Sequence, residues 1–482
     1  MPNLELRSAC FLWLMVFVAA VLQTAVLHAG EDVAWFRRDH GVAPEGVLLP
    51  TEFGEGEERL WRVELSPGIS TPCLCGDSIF VTTYVAESKE LATVALDRTT
   101  GKIRWKKIVP TQTLEAFHDV GSPASATPAC NGTQVFSFFG SYGLLCYDVN
   151  GQLLWERPMG PFQDEFGASS SPVLVGNKVI LNEDHDRDSF LMALDQQTGE
   201  VVWKTAREEA TRSYATPVVF ENHGRTEILV AGSRQLAAYD PHDGKKLWWF
   251  DGLSRIVDST PMVVDGDIYF ATWTPGGDSD DRIRMEPFPM ALTSFDKNND
   301  GEIGKDELPP GNPILERFFR IDLSQNQGLD QREWEKHALV FERAQNIAAA
   351  IRPGSHGPLP AENVKWNYRR SLPTVPSSVV YDGVLYMIKD GGIITSLDAS
   401  SGEALKQARA IGGGSYYASI VAGDGKIYLI NDGGVVSILK AGRDWSILGS
   451  YDFKERILAT PVIADGMMLI RTDNALYAFR TR

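Results

Sequence analysis

The chain has 482 residues, 43% hydrophobic and 23% charged, with 12 Trp, 44 Gly and 26 Pro; this is the composition of a folded, turn-rich protein and excludes a largely disordered one. Its 46 basic and 63 acidic side chains leave a net charge of −17, which repels phosphate backbones and anionic lipid and removes nucleic-acid binding from the functions considered. Length alone does not set the domain count, because repeat architectures run long as one unit.

At the N-terminus, Arg7 precedes an apolar run from Ala9 to Leu22 and a weaker stretch ending Leu27-His28-Ala29-Gly30. This predicts a signal peptide over residues 1–29 and an exported protein, periplasmic or extracellular. Bulky Leu27 stands two places before the small Ala29, so an uncleaved anchor stays open as the one way a membrane enters the reading. Loss of the leader removes Cys10 and leaves Cys73, Cys75, Cys130 and Cys146. All four lie in apolar, strand-like runs, and the expectation is buried free thiols in preference to a bridge or a metal site.

Residues 30–58 read as an N-terminal extension. The run Leu60-Trp61-Arg62-Val63-Glu64-Leu65 is an orphan strand with its own Trp. Beyond it, Ala95-x-Asp97-x-x-x-Gly101-x-x-x-Trp105 recurs as Ala193-x-Asp195-x-x-x-Gly199-x-x-x-Trp203 and Ala238-x-Asp240-x-x-x-Gly244-x-x-x-Trp248. Asp148, Gly151 and Trp155 form a shorter copy, and Asp398 to Gly402 a copy with Lys406 in the Trp place. Such a segment is a hairpin: a strand ends at Asp, the turn uses Gly, and the next strand delivers Trp.

Each unit opens with a small residue and Pro ahead of an apolar strand, as in Thr71-Pro72, Thr127-Pro128, Ser171-Pro172, Thr216-Pro217, Thr260-Pro261 and Thr460-Pro461. Ser377-Ser378 and Ala418-Ser419 take the same place, so eight units are predicted, each with room for four short antiparallel strands. The last unit has room for only three, and the strand at 60–65 is expected to complete it and close the ring. The fold class is therefore all-β, an eight-bladed propeller over residues 59–274 and 345–482.

These repeats resemble the pyrroloquinoline-quinone (PQQ) repeat family, which includes quinoprotein alcohol dehydrogenases and BamB-like propellers. The aromatic-Arg segment Trp35-Phe36-Arg37 resembles the opening of exported bacterial propellers of that family. A quinoprotein would need a channel base, a cofactor-bound calcium and, in most of that group, adjacent cysteines. This sequence offers no Cys-Cys pair and no assignable base, so the reading is non-catalytic and PQQ is not expected as a cofactor.

Residues 275–344 interrupt the fifth unit. Within them, Asp296-Lys-Asn298-Asn-Asp300-Gly301-Glu302-Ile303-Gly304-Lys-Asp-Glu307 fits a twelve-residue EF-hand loop. Asp296, Asn298 and Asp300 would give side-chain oxygens to Ca2+, Glu302 its carbonyl and Glu307 both carboxylate oxygens, while Gly301 permits the turn. A weaker second loop runs through Asp322, Ser324, Asn326, Gly328, Asp330 and Glu333. There Gln327 stands where Gly is expected, and Gly328 is expected to absorb part of the turn. Pro313 to Ile321 reads as a connecting helix with Ile314, Leu315, Phe318 and Phe319 on one apolar face.

The acidic run Glu183-Asp184-His185-Asp186-Arg187-Asp188 reads as a solvated connection. No hydrolase or phosphate-cradling motif appears. The segments before the innermost strands should gather at one mouth of the channel, bringing together His118, Asp119, Arg212, Tyr214, Arg255, Asp258, Tyr416, Tyr417 and Arg456. A mouth lined by Arg and Tyr suits a peptide or a polyanion, and a protein or peptide partner on that face is expected. Three classes remain: a calcium-binding interaction scaffold, which is preferred, a quinone-dependent dehydrogenase, and a cell-surface glycan or peptide binder.

Overall fold

A computed structural model describes residues 32–56, 58–278 and 282–481; the expected signal peptide at 1–29 lies outside them. Eight antiparallel sheets follow one another along the chain. Their first strands begin at Cys73, Ala129, Val173, Val218, Met262, Val379, Val421 and Val462, each two or three residues after a predicted unit start. We number the blades 1 to 8 in that order. In blade 8 the outermost strand is Arg59–Glu64, paired antiparallel with Ala475–Arg480, so the first and last strands of the described chain share one sheet.

The Gly and Trp of the repeat meet between blades. A Cβ placed on Gly151 would lie 2.8 Å from the Trp105 ring, and one on Gly199 2.5 Å from Trp155; Gly244 with Trp203 and Gly402 with Trp366 repeat the contact. Each Trp thus seats on the turn of the next blade, and only a residue without a side chain admits it. The indole nitrogens of Trp105, Trp155, Trp203 and Trp366 donate to carbonyls of the same neighbouring turns at 2.8–3.1 Å. Where Lys406 replaces Trp, its ammonium bonds to the Trp445 carbonyl of blade 7 at 2.7 Å and lies over that indole.

Apolar side chains fill the wedges between sheets. Phe136 and Phe138 of blade 2, for example, bury against Leu181, Phe190 and Met192 of blade 3. Burial of such a side chain stabilises the fold by about 1.5–3 kcal/mol.

A second set of joints runs around the channel. The backbone N–H of Thr71 donates to the Thr127 hydroxyl at 3.0 Å, Thr127 to Ser171 at 2.9 Å, Ser171 to Thr216 at 3.1 Å and Thr216 to Thr260 at 3.2 Å. Thr260 to Ser377, Ser377 to Ser419 and Ser419 to Thr460 continue the series at 2.9–3.1 Å. The small hydroxyl residue at the start of each unit, Ser419 after Ala418 in the seventh, therefore links the blades as well as preceding a strand.

Cys75 and Cys130, on the first strands of blades 1 and 2, are joined in a disulfide, with Cα atoms 6.2 Å apart. This corrects the expectation of four free thiols: adjacent inner strands bring the two Cα atoms within bridging distance, which no spacing along one strand reveals. Cys73 and Cys146 are buried and free.

The N-terminal extension crosses the channel at the end remote from the loops that precede the first strands. The carbonyls of Val33 and Ala34 accept from Leu74 and Cys130, in blades 1 and 2. Arg37 then reaches the carbonyls of Ser378 and Ile420 at 2.8 and 2.9 Å, and Val42 pairs with Ala422 of blade 7.

In blade 5 the chain leaves after the strand Asp267–Thr272 and returns at Ile347–Ile351. The intervening segment has helices α1 (Phe288–Phe295), α2 (Phe318–Ile321) and α3 (Gln331–Arg343). The connecting helix expected over 313–321 is reduced to the 3-10 turn Leu315–Arg317 followed by α2. Phe319, expected on its apolar face, is 55% exposed and lies beneath the Arg212 guanidinium instead.

Candidate functional site

The channel holds a cavity of about 450 Å³. All eight hydroxyl residues of the ring, Thr71 through Thr460, form its wall, and Phe36 of the crossing extension forms its floor. At the mouth stand His118, Tyr214, Arg255, Asp258 and Tyr417, together with Pro275 and Arg320 of the insert.

Acidic groups at and beneath the mouth are packed among protein groups. Burial raises Asp164 to about 6, although the Tyr214 hydroxyl donates to it, and raises Asp258 to about 7. Glu115 is pushed up to about 8 by burial; one of its oxygens accepts from the Ala168 N–H at 3.1 Å and the other has no partner.

Glu183, Asp184, His185 and Asp186 are buried, which corrects the reading of this run as a solvated connection. Arg207 grips Asp184 through two nitrogens at 2.7 and 2.8 Å, and Arg212 binds both Asp186 and, at 2.8 Å, Glu165. Bidentate guanidinium pairing makes burial of those two carboxylates tolerable.

The insert docks on this region. Gln163 donates to the Leu323 carbonyl, and the Lys336 ammonium donates to the Ala210 carbonyl at 3.1 Å.

Inside the insert, two loops lie back to back. Ile303 pairs with Leu329 and Gly304 with Gly328, and Ile303, Leu329, Phe288, Phe318 and Trp334 share one buried core. The loops match position by position. The Asp296 carboxylate accepts from Gly301 N–H at 3.1 Å, as Asp322 does from Gln327 at 3.0 Å. Glu307 accepts from Lys297, Asn298 and Gly304 N–H groups at 2.7–3.1 Å, and Glu333 from Ser324 and Asp330 at 2.6 and 3.1 Å.

These amides hold the Glu307 carboxyl below its ordinary range, whereas burial raises that of Glu333. Gln327 itself adopts φ +72°, so the turn expected to fall partly on Gly328 falls on the residue before it. Two further bonds complete the first loop: the Asn298 side chain accepts from Asp300 N–H at 2.8 Å and the Asp300 carboxylate from Glu302 N–H at 2.9 Å.

The sequence model of the family described as outer membrane protein assembly factor BamB matches residues 51–222 and 187–445. The chain belongs to the BamB family. A BamB of Alkalilimnicola ehrlichii is 29% identical over 152 residues, covering 30% of this chain and 33% of that relative. The matched stretch thus spans only a third of the relative's length. BamB from Moraxella catarrhalis superposes with a TM-score of 0.53 at 13% identity, covering 88% of this chain and 99% of that one. A europium-containing methanol dehydrogenase gives 0.53 at 10% identity, covering 88% and 93%; at these identities the likeness is one of fold.

Of the nine mouth residues named from the sequence of this BamB-family chain, five line the cavity: His118, Tyr214, Arg255, Asp258 and Tyr417. Arg212 is buried in its ion pairs and Tyr416 in the wall between blades. Arg456 donates to the Asp119 carbonyl at 2.8 Å, so these two residues clasp each other at the rim outside the cavity. Sequence reasoning missed Phe36, Arg320, Glu115 and the channel-facing role of the ring hydroxyls. The last had a signal, since a Thr or Ser stands at every unit start or, in the seventh unit, one residue after it; Arg320 had none, because its position depends on how the insert docks.

Among the described residues, no three His, Cys, Asp or Glu side chains gather closely enough to hold a metal. In both insert loops the carboxylates turn onto backbone amides. Asp296 nevertheless keeps one buried oxygen without a partner, which fits an acceptor oriented for a cation.

Proposed function

We propose that this protein is an exported, non-catalytic BamB-family scaffold that engages a protein partner and binds calcium through the EF-hand pair of its insert. Family membership supports the partner reading, since the matching relatives are named as assembly factors. The calcium reading rests on one observation: two loops in matching register, coupled through Ile303 and Leu329, with a buried oxygen of Asp296 left without a partner. The first loop supplies Asp296, Asn298, Asp300, the Glu302 carbonyl and Glu307; the second supplies Asp322, Ser324, Asn326, the Gly328 carbonyl and Glu333. A hard cation needs such an all-oxygen set, and loops of extracellular modules bind it at about 10⁻⁴–10⁻³ M.

Titration calorimetry with calcium tests the reading. The parent is expected to bind, Glu307→Gln to lose most of the first-loop affinity, and Glu333→Gln to lose less, because left-handed Gln327 already strains the second loop. A parent that takes up no calcium in the millimolar range would end the calcium reading, and a larger loss from Glu333→Gln would reverse the order of the loops.

A further inference from the structure

Arg255 and Arg320 converge at the seam between propeller and insert. Arg255 comes from the loop before the first strand of blade 5, Arg320 from α2. Both line the central cavity and two smaller ones beside it, one of them about 260 Å³. Arg255 is only 9% exposed, yet neither guanidinium forms a hydrogen bond or ion pair with any described residue. Asp258 and Glu165 share the cavity wall, but Glu165 is engaged by Arg212 and neither pairs with Arg255.

Arg255 has no bonded counter-charge, only the longer-range attraction of Glu165 and Asp258, and the second cation, exposed Arg320, adds repulsion. An anion arriving between the two offsets that repulsion and receives two forked donors. The rest of the cavity suits a small amphipathic body. Its floor and walls include Phe36, Ile69, Val375 and Leu458, and each ring hydroxyl from Thr127 to Thr460 accepts an N–H while its own O–H finds no acceptor among the described residues.

We propose that this seam is a binding site for a small oxyanion-bearing molecule, its anionic group held between Arg255 and Arg320 and its apolar body lodged in the channel above Phe36. The size of the cavity and the extension across its far end favour a small molecule over a threaded chain. The inference is independent of the calcium reading.

The test is calorimetry on the full chain in calcium-containing buffer, with sulfate and benzoate as probes. Sulfate offers the oxyanion alone; benzoate adds an apolar body to a carboxylate. At least one is expected to bind, with Arg255→Ala and Arg320→Ala each weakening it by about tenfold or more, since a hydrogen bond to a charged group contributes on that order. Tighter benzoate identifies the carboxylate with an apolar body as the recognised form, and tighter sulfate the tetrahedral oxyanion. Neither Arg gives up a hydrogen bond or ion pair, so both variants are expected to fold, and a cooperative melt in the absence of anion checks this. Absence of binding by both probes, or equal binding by parent and variants, would overturn the proposal.

Discussion

The indole of Trp61 lies flat against Gly101, so close that a Cβ on Gly101 would sit 2.6 Å from the ring. Trp61 belongs to the strand that completes blade 8, and Gly101 to the turn of blade 1. The joint that closes the ring therefore repeats the Gly–Trp packing of the joints within it, while the buried Trp61 indole N–H finds no acceptor among the described residues. Gly101 also has φ +71°, a region that L side chains resist.

Gly101→Ala adds both a clash and backbone strain at the closing joint. The expected cost is about 2–4 kcal/mol. Gly466, also at positive φ but with open space around its Cβ position, is the control: Gly466→Ala carries the backbone penalty alone and is expected to lower the melting temperature less. Equal shifts in the two variants would show that the Trp61 contact contributes nothing.

Removal of one ring hydroxyl should be felt in the neighbouring blade. Thr216→Val leaves the buried Ser171 N–H without its acceptor, at a cost of about 1–3 kcal/mol, whereas Thr216→Ser retains the oxygen and is expected to cost less. Hydrogen exchange at Ser171, measured in both variants, reads the joint directly. Slow exchange of that amide in Thr216→Val would contradict the assignment.

Glu115 gives the fold a pH dependence of known sign. Its carboxyl titrates at about 8 in the folded protein against an ordinary value of 4.5, so the folded state holds the proton more tightly than the unfolded chain. Its contribution is complete below the unfolded value and is lost as pH rises from there through the folded one. Glu115→Gln, which cannot ionise, is expected to gain about 3 kcal/mol relative to the parent between pH 5 and pH 8. Urea midpoints at the two pH values check this; a constant difference would mean that Glu115 is ionised throughout.

The propeller was legible because its determinants are local and repeated. Asp, Gly and Trp must fall at fixed offsets for a turn to receive a neighbour's indole, and eight small hydroxyl residues must precede eight strands. The interior of the channel was less legible. Arg255 and Tyr214 were expected at the mouth from their place before an inner strand, and both line the cavity. Arg456 and Asp119 occupy equivalent places but clasp each other, because the loops that precede blades 8 and 2 meet. The run at 183–188 misled for a related reason: charge density signals solvent until Arg207 and Arg212, some twenty residues away, are seen to fold back on it.

Phe36 of the crossing extension lines one end of the cavity, and Pro275 and Arg320 of the insert line the other. A molecule that enters and leaves past the insert uses one path in both directions. Any change that only narrows this path slows capture and release by the same factor and leaves the dissociation constant untouched. Substitutions at the doorway and at the binding groups are therefore separable by kinetics: the first alter residence time without altering occupancy at equilibrium, and the second alter both.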